Sequence, residues 1–262
     1  MELVSKPIKY QLNSGVAWIT LAAPQLGNTI NCESVLNLNQ FLQQATTDES
    51  CRVIIISAEG SDFCKGFDLE TSLIDSHDTS ELCKMFLDCL SLIYSSSRPV
   101  IASVEGNVTA GGVGLVAACD LVLTNENVAF MLSEVIVGMI PALIAPFLLR
   151  RLSPARVKYM ALSTRSITSS EAKEIGLVDE VVAVGEMTQQ LNRQLKRLFR
   201  ASPQAIAESK RYLDKLDSQE FFLQKKFAIH QLISWLEQPE VVEGIQTFAQ
   251  GFTPPWFQKY KG

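Results

Sequence analysis

Short runs of apolar and β-branched residues recur along the first half of the chain. Four of these runs, at residues 16–21, 53–57, 100–104 and 121–124, predict β-strands. Between them, apolar residues recur at intervals of three and four, which is typical of amphipathic helices. Strands that alternate with helices pair in parallel through crossovers, so the first half predicts an α/β fold.

The helical pattern is clearest in two segments of this half. Residues 31–46 predict one helix, and a second begins after the candidate cap Ser80 and carries an apolar stripe at Leu82, Met85 and Phe86. After about residue 140 the strand signal nearly stops. Five further helices are predicted there, at residues 155–163, 169–175, 187–199, 203–213 and 218–237.

Composition narrows the class of protein. The 262 residues are 47% hydrophobic and 19% charged, which is typical of a single globular domain with a sizeable core. A net charge of −5 with interspersed acids and bases gives no footprint for nucleic acid or for an anionic membrane. Because no targeting segment or apolar span is visible either, we expect a cytoplasmic protein with no nucleic-acid or membrane partner.

The six cysteines predict neither a disulfide framework nor a metal site. No CxxC or Cys/His ligand spacing occurs, and a chain of this length does not depend on disulfides for its stability. Free cysteines commonly pack as small hydrophobic residues. We therefore expect reduced, mostly buried thiols and no metal.

The densest chemical signal is the glycine-rich segment GNVTAGGVGLVAACD, residues 106–120, which follows a predicted strand. A helix that begins near Gly111 would point unpaired N–H groups at a ligand, and such a helix end suits an anion or a developing oxyanion. A glycine cluster is equally typical of a tight strand-to-helix connection, and the segment matches neither a dinucleotide nor a Walker motif. A second loop, SDFCKGFDLE at residues 61–70, also follows a strand and is a candidate for another N–H donor.

These two segments resemble motifs of the crotonase (enoyl-CoA hydratase/isomerase) superfamily. FCKGFDL and GNVTAGGVGLVAACDLVL are similar to the motifs FCAGxDL and GxxxGGGxxLxxxCD, and ARVKYMALSTRSITSSEAKEIGLVDEVV and SPQAIAESKRYL continue the likeness in order, over residues 10–215. The resemblance implies reaction through a thioester enolate. It assigns the two oxyanion-hole N–H groups to Phe67 and Gly111.

The resemblance also implies an architecture. We expect a crotonase-type α/β spiral of repeated ββα units over residues 1–200. Residues 201–262 are expected to form a C-terminal helical region that serves oligomerisation and covers the active site. The implied assembly is a homotrimer, with a hexamer as the alternative.

Catalytic carboxylates are the point at which the chain departs from the hydratases of this superfamily. Hydratases use two glutamates, and the first position falls on Gly114, which has no side chain, while the second falls on Glu134. Ordinary hydration is therefore in doubt. A single glutamate at the second position is what some isomerases use. Read without the resemblance, Glu134 is equally a first-turn acid favoured by the helix dipole.

A lysine and a histidine resemble the catalytic pair of one branch of the superfamily. Periodicity alone makes Lys84 a solvated residue and His230 a structural residue beside an apolar stripe. Decarboxylases of polyketide β-branching cassettes, which lack the glutamate pair, use a lysine after the first oxyanion loop and a histidine on a late helix. Lys84 and His230 stand at those places.

The resemblance thus predicts decarboxylation of a carrier-protein-bound 3-methylglutaconyl thioester. His230 would protonate the dienolate, and Lys84 would orient the carboxylate. No cofactor is implied, because the substrate is carried on the phosphopantetheine of an acyl carrier protein or on CoA. Loop 21–31 has no Lys or Arg where relatives that use CoA often bind its phosphates, which favours the carrier protein. The alternatives are an enoyl isomerase that uses Glu134 and a non-catalytic scaffold that docks a carrier protein.

Overall fold

The computed structural model of the chain describes residues 6–69, 76–253 and 255. Its larger sheet has the strand order β1-β2-β3-β5-β7-β10. The first two strands form an antiparallel hairpin, and the remaining neighbours are parallel. Ser14 and Gly15 both have positive φ, 50° and 79°, as a tight two-residue hairpin turn requires. The strands are β1 Ile8–Asn13, β2 Val16–Leu21, β3 Val53–Ala58, β5 Val100–Val104, β7 Leu121–Asn125 and β10 Glu180–Val182.

A smaller sheet lies alongside, with the order β4-β6-β8-β9. Its first three strands are parallel, and the last pairs antiparallel. The chain visits one strand of each sheet before each crossover, as β3 then β4, β5 then β6, and β7 then β8. This repeated ββα path confirms the predicted α/β spiral. The strands are β4 Asp62–Cys64, β6 Asn107–Thr109, β8 Ala129–Met131 and β9 Ile167–Thr168.

The described helices confirm most of the helices predicted from periodicity and correct the bounds of two. The second helix begins at Ser76, so Ser80 is not its cap. Segments 203–213 and 218–237, predicted as separate helices, form one helix of 34 residues. The described helices are α1 Cys32–Thr47, α2 Ser76–Ser95, α3 Gly111–Ala118, α4 Ala145–Arg151, α5 Pro154–Ser163, α6 Ser169–Glu174, α7 Met187–Arg200, α8 Pro203–Leu236 and α9 Pro239–Ala249.

Helices cover both faces of the larger sheet. The main core lies between one face and helices α1, α2 and α3, and a smaller cluster packs the other face against α7. Strand β5 is buried at every position, which is why it reads as a continuous apolar run rather than an alternating one. All six cysteines are free and five are buried, as predicted; Cys32 is exposed. Within the described residues, the helices are too short or too polar to cross a membrane.

Candidate active site

The first active-site loop follows β4 and turns sharply at Gly66, whose φ is +89°. A side chain here would collide with the second loop, because an added Cβ would lie 2.9 Å from the Cβ of Ala110 and 3.2 Å from the nitrogen of Gly111. The first loop is also tied to the strand-like segment at Ile30, which donates to the Gly66 carbonyl and accepts from Asp68. Phe67 is therefore held next to the start of α3.

The second loop ends in a strained residue. Ala110 has φ 49° and ψ −121°, a conformation that a residue with a Cβ rarely adopts, and Gly111 begins α3 immediately after it. In the part of the chain that the structure describes, neither the Phe67 N–H nor the Gly111 N–H donates to a protein acceptor. The two loops thus bring together the two donors that the sequence predicted for the oxyanion hole.

Both donors border a cavity of about 480 Å³. Its far wall is apolar and comes mainly from residues 136–144, and Leu232 of α8 and Phe248 of α9 close it from the C-terminal side. Such a cavity has the size and apolar lining of a small-molecule site. Among the described lining residues, four have polar side chains: Lys65, Thr109, Ser133 and Glu134.

Glu134 is the buried acid of this cavity. It begins a short 3-10 helix, Glu134–Val137, and is only 9% exposed. Its Oε2 atom is buried and has no hydrogen-bond partner in the described structure. Burial raises the pKa of the Glu134 carboxyl to about 7, although hydrogen bonds from the backbone of Ser133 and of Glu134 itself act in the opposite direction. An acid with this pKa can both accept and donate a proton near neutral pH.

The position of the missing second glutamate is filled by a neighbouring side chain. A Cβ added to Gly114 would lie 2.2 Å from Cγ2 and 2.8 Å from Cβ of Ile144. Ile144 is buried and lines the cavity. The backbone here therefore has no room for a side chain at position 114, and that position places no second carboxylate at the cavity.

Lys84 and His230 lie outside the lining of this cavity. Both are exposed, and neither is among the described residues that line the cavity. They do lie towards the same end of two packed helices. Tyr94 of α2 hydrogen-bonds to Asp214 of α8, and Lys225, further along α8, contacts Ser91, so the two helices run antiparallel. The structure brings Phe67, Gly111 and Glu134 together at one cavity and leaves the lysine and the histidine outside its lining.

Sequence reasoning missed Lys65. This residue lines the cavity and occupies the position at which the motif FCAGxDL has alanine, so the departure itself was the available signal. The apolar wall at residues 136–144 also went unnoticed, because it is built from a loop without helix or strand periodicity.

Two N–H donors and a buried carboxyl at one cavity are groups with which an enzyme can stabilise an enolate and move a proton on it. The sequence matches the family described as enoyl-CoA hydratase/isomerase over residues 11–259. The chain therefore belongs to this family, within the crotonase superfamily.

Individual relatives agree with this assignment. The bacillaene synthase dehydratase PksH of Bacillus subtilis is 31% identical over 223 residues, which cover 84% of this chain and 85% of that protein. The solved structure of B. subtilis PksH superposes with a TM-score of 0.85 at 28% identity, over 94% of this chain and 98% of that one. An enoyl-CoA hydratase from Mycobacterium avium superposes with a TM-score of 0.86 at 27% identity, over 97% and 100%.

Proposed function

We propose that this protein dehydrates a 3-hydroxyacyl thioester, with Glu134 as its acid and base. The observation that carries the proposal is the unpartnered carboxyl of Glu134, buried in the cavity that the Phe67 and Gly111 N–H groups border. The proposal favours proton transfer by Glu134 over the decarboxylation predicted from sequence, because Lys84 and His230 are exposed outside the cavity lining.

A single carboxyl is sufficient for this reaction if it acts twice, first as a base and then as an acid. Ionised Glu134 takes the proton from Cα of the thioester, and the electron pair of that C–H bond moves onto the thioester oxygen, between the N–H groups of Phe67 and Gly111. The enolate then collapses to the Cα–Cβ double bond and expels the β-hydroxyl. Glu134, now protonated, gives its proton to that hydroxyl, so water leaves and the carboxylate is regenerated. One such N–H donor is typically worth about 3 kcal/mol in the transition state.

The nature of the carrier is part of the proposal. A relative named as a dehydratase of bacillaene synthase supports an acyl group bound to a synthase carrier protein. We propose that the acyl chain is carried on the phosphopantetheine of an acyl carrier protein rather than on free CoA. The apolar wall at residues 136–144 suits a short branched acyl chain.

The test uses one substrate for both candidate reactions. A 3-methylglutaconyl thioester is the dehydration product of a 3-hydroxy-3-methylglutaryl thioester, so carrier protein loaded with the latter is incubated with the enzyme and followed by mass spectrometry. Loss of one water is expected. Glu134→Gln should slow this loss about 1000-fold, because it removes a general acid–base group without changing shape. Exposed Glu174→Gln is the matched control. Normal turnover in Glu134→Gln would overturn the proposal.

Decarboxylation remains the second candidate, for two reasons. The absence of a second carboxylate at Gly114 suits a reaction that needs only the oxyanion hole and a proton donor. In addition, the antiparallel register of α2 and α8 puts Lys84 and His230 towards the same end of that helix pair. Loss of CO2 from the 3-methylglutaconyl carrier protein, without prior loss of water, would favour this candidate. Double-bond migration without either loss would favour the isomerase, and no reaction of any kind would favour the scaffold.

A further inference from the structure

Lys65 stands at the mouth of the cavity in a position set by the fold. Among the described lining residues, it and Glu134 are the charged ones. Glu134 lies deep, whereas the Lys65 side chain is 56% exposed. The residue is only two positions before Phe67, so it lies beside the oxyanion hole on the solvent side.

The stem of Lys65 has a fixed path. It packs over Gly27, where an added Cβ would lie 2.4 Å from Cδ and 2.9 Å from Cε of the lysine. The backbone is tied to the same place, because the Lys65 N–H donates to the Gly27 carbonyl at 3.1 Å. Gly27 has φ +64°, so glycine suits both its conformation and the overlying stem. The lysine stem thus lies against loop 21–31, which itself has no Lys or Arg.

The ammonium group is incompletely neutralised. Its carboxylate neighbour is Asp62, with an Nζ–Oδ2 distance of 3.4 Å, longer than a good charged hydrogen bond. An exposed pair with this separation contributes little to stability. The cation is therefore available to a second anion that approaches from the cavity mouth.

We propose that Lys65 binds the phosphate of the phosphopantetheine arm that carries the acyl group. This inference rests on the proposed thioester substrate. With the thioester oxygen at the N–H groups of Phe67 and Gly111 and the acyl chain against the apolar inner wall, the arm must leave through the mouth. An anion on the arm then meets Lys65, whereas an acyl carboxylate points inward, away from it.

The test measures binding without turnover, so it does not depend on which reaction the enzyme catalyses. The probes are S-butyryl phosphopantetheine, S-butyryl pantetheine, which lacks the phosphate, and S-glutaryl pantetheine, which has a carboxylate on the acyl chain instead. Lys65→Met should weaken binding of the phosphorylated probe about tenfold and leave both other probes unchanged. Lys65→Arg should retain most of the affinity. Asp62→Asn, which removes the competing carboxylate, should strengthen binding of the phosphorylated probe alone.

Lys9 provides a matched control. It is an exposed lysine with a carboxylate partner, Glu59 at 2.6 Å, and its side chain is 58% exposed, but it does not line the cavity. Lys9→Met should bind all three probes normally. Equal losses for the phosphorylated and unphosphorylated butyryl probes in Lys65→Met, or no loss for either, would overturn the inference. A loss confined to the glutaryl probe would also overturn it, since Lys65 would then recognise the acyl carboxylate. A protein that fails to dehydrate any substrate yet shows the expected binding pattern would sink the proposed function and leave this inference standing.

Discussion

Glu134 owes its chemical character to burial, which the sequence did not reveal. The segment FMLSEVIVGMIP left the residue equally well explained as a helix-end acid, because nothing local shows that its carboxyl is buried at a cavity. The short helix that Glu134 begins packs against α9, more than 100 residues later in the chain, and Leu232 and Phe248 line the same cavity. The donor at Gly111 was easier to predict, because a helix start leaves a local signal, whereas Phe67 was assigned by the family resemblance.

The raised pKa of Glu134 has a consequence for stability. In the unfolded chain the carboxyl has its ordinary pKa of 4.5, and in the folded protein its pKa is about 7. The folded state therefore holds this proton more tightly, so stability falls as pH rises from about 4.5 to about 7, and the whole penalty is present above that range. We expect Glu134→Gln to be about 3 kcal/mol more stable than the parent near pH 8 and equally stable near pH 4.

Urea unfolding of both proteins at the two pH values measures this difference. The exposed variant Glu174→Gln controls for the general effect of removing one negative charge. A difference between Glu134→Gln and the parent that is the same at both pH values would contradict the assigned cause, since a packing effect does not titrate.

At the scale of elements, the sequence predicted what local chemistry decides. Helix α1 begins one residue after Asn31, as its capping box requires. The start of α2 was misplaced because Ser80 is a suitable cap residue by type, although it lies inside the helix. Helix α8 was split because the polar interval around residues 214–218 resembles a loop, yet no glycine or proline lies between Pro203 and Pro239 to end a helix. Strands β4, β6 and β8 have three residues each, too few for a period to show.

The start of α3 allows one donor of the oxyanion hole to be removed. Gly111 is the first residue of the helix, a position at which proline fits the helical backbone and removes the N–H. An added Cβ would lie 2.7 Å from Cδ1 of Ile30, so Ile30→Val, which removes that atom, is combined with Gly111→Pro. We expect turnover to fall about 100-fold or more relative to Ile30→Val alone.

Circular dichroism and thermal unfolding must show that the Gly111→Pro double variant is folded, because Ala110 already has a strained backbone before it. A folded double variant that turns over at the rate of Ile30→Val would refute the role of the Gly111 N–H.

The contact between α3 and the segment before α4 leaves no room for a second carboxylate at position 114. Gly114→Glu alone should destabilise the protein severely, because its Cβ would overlap Ile144. Gly114→Glu with Ile144→Gly removes both overlapping atoms and installs a second carboxyl beside Glu134. We expect this double variant to hydrate crotonyl-CoA at least about tenfold faster than Ile144→Gly alone, since an added general acid–base group contributes on that scale or above.

Formation of 3-hydroxybutyryl-CoA, followed by chromatography, measures the gain in hydration. If a folded double variant hydrates no faster than Ile144→Gly, a carboxyl at position 114 adds nothing to the one-carboxyl reaction that we propose for Glu134.

At the scale of the whole molecule, α2 packs against α8 and Tyr94 hydrogen-bonds to Asp214, 120 positions later in the chain, which periodicity could not predict. Several large apolar side chains on α8 remain exposed in the single chain, including Leu223 and Phe227, each 66% exposed. Such a surface suits the homotrimer, or the hexamer, that the family resemblance implied. Size-exclusion chromatography with light scattering would establish which of the two forms.

Variants of Lys84 and His230 show whether the α2–α8 helix pair contributes to decarboxylation. If the protein decarboxylates 3-methylglutaconyl carrier protein, we expect Lys84→Ala to lower CO2 release about 100-fold or more in a folded oligomer. His230→Ala should still release CO2 slowly while losing control over deuterium incorporation from D2O, because solvent then protonates the dienolate.

If Lys84 is only a solvated surface residue, its removal should change stability by no more than about 0.5 kcal/mol and leave turnover unchanged, as should the exposed control Lys173→Ala. Since both side chains are exposed outside the cavity lining in the single chain, normal CO2 release by both variants would end their catalytic assignment and leave Glu134 as the acid and base of this site.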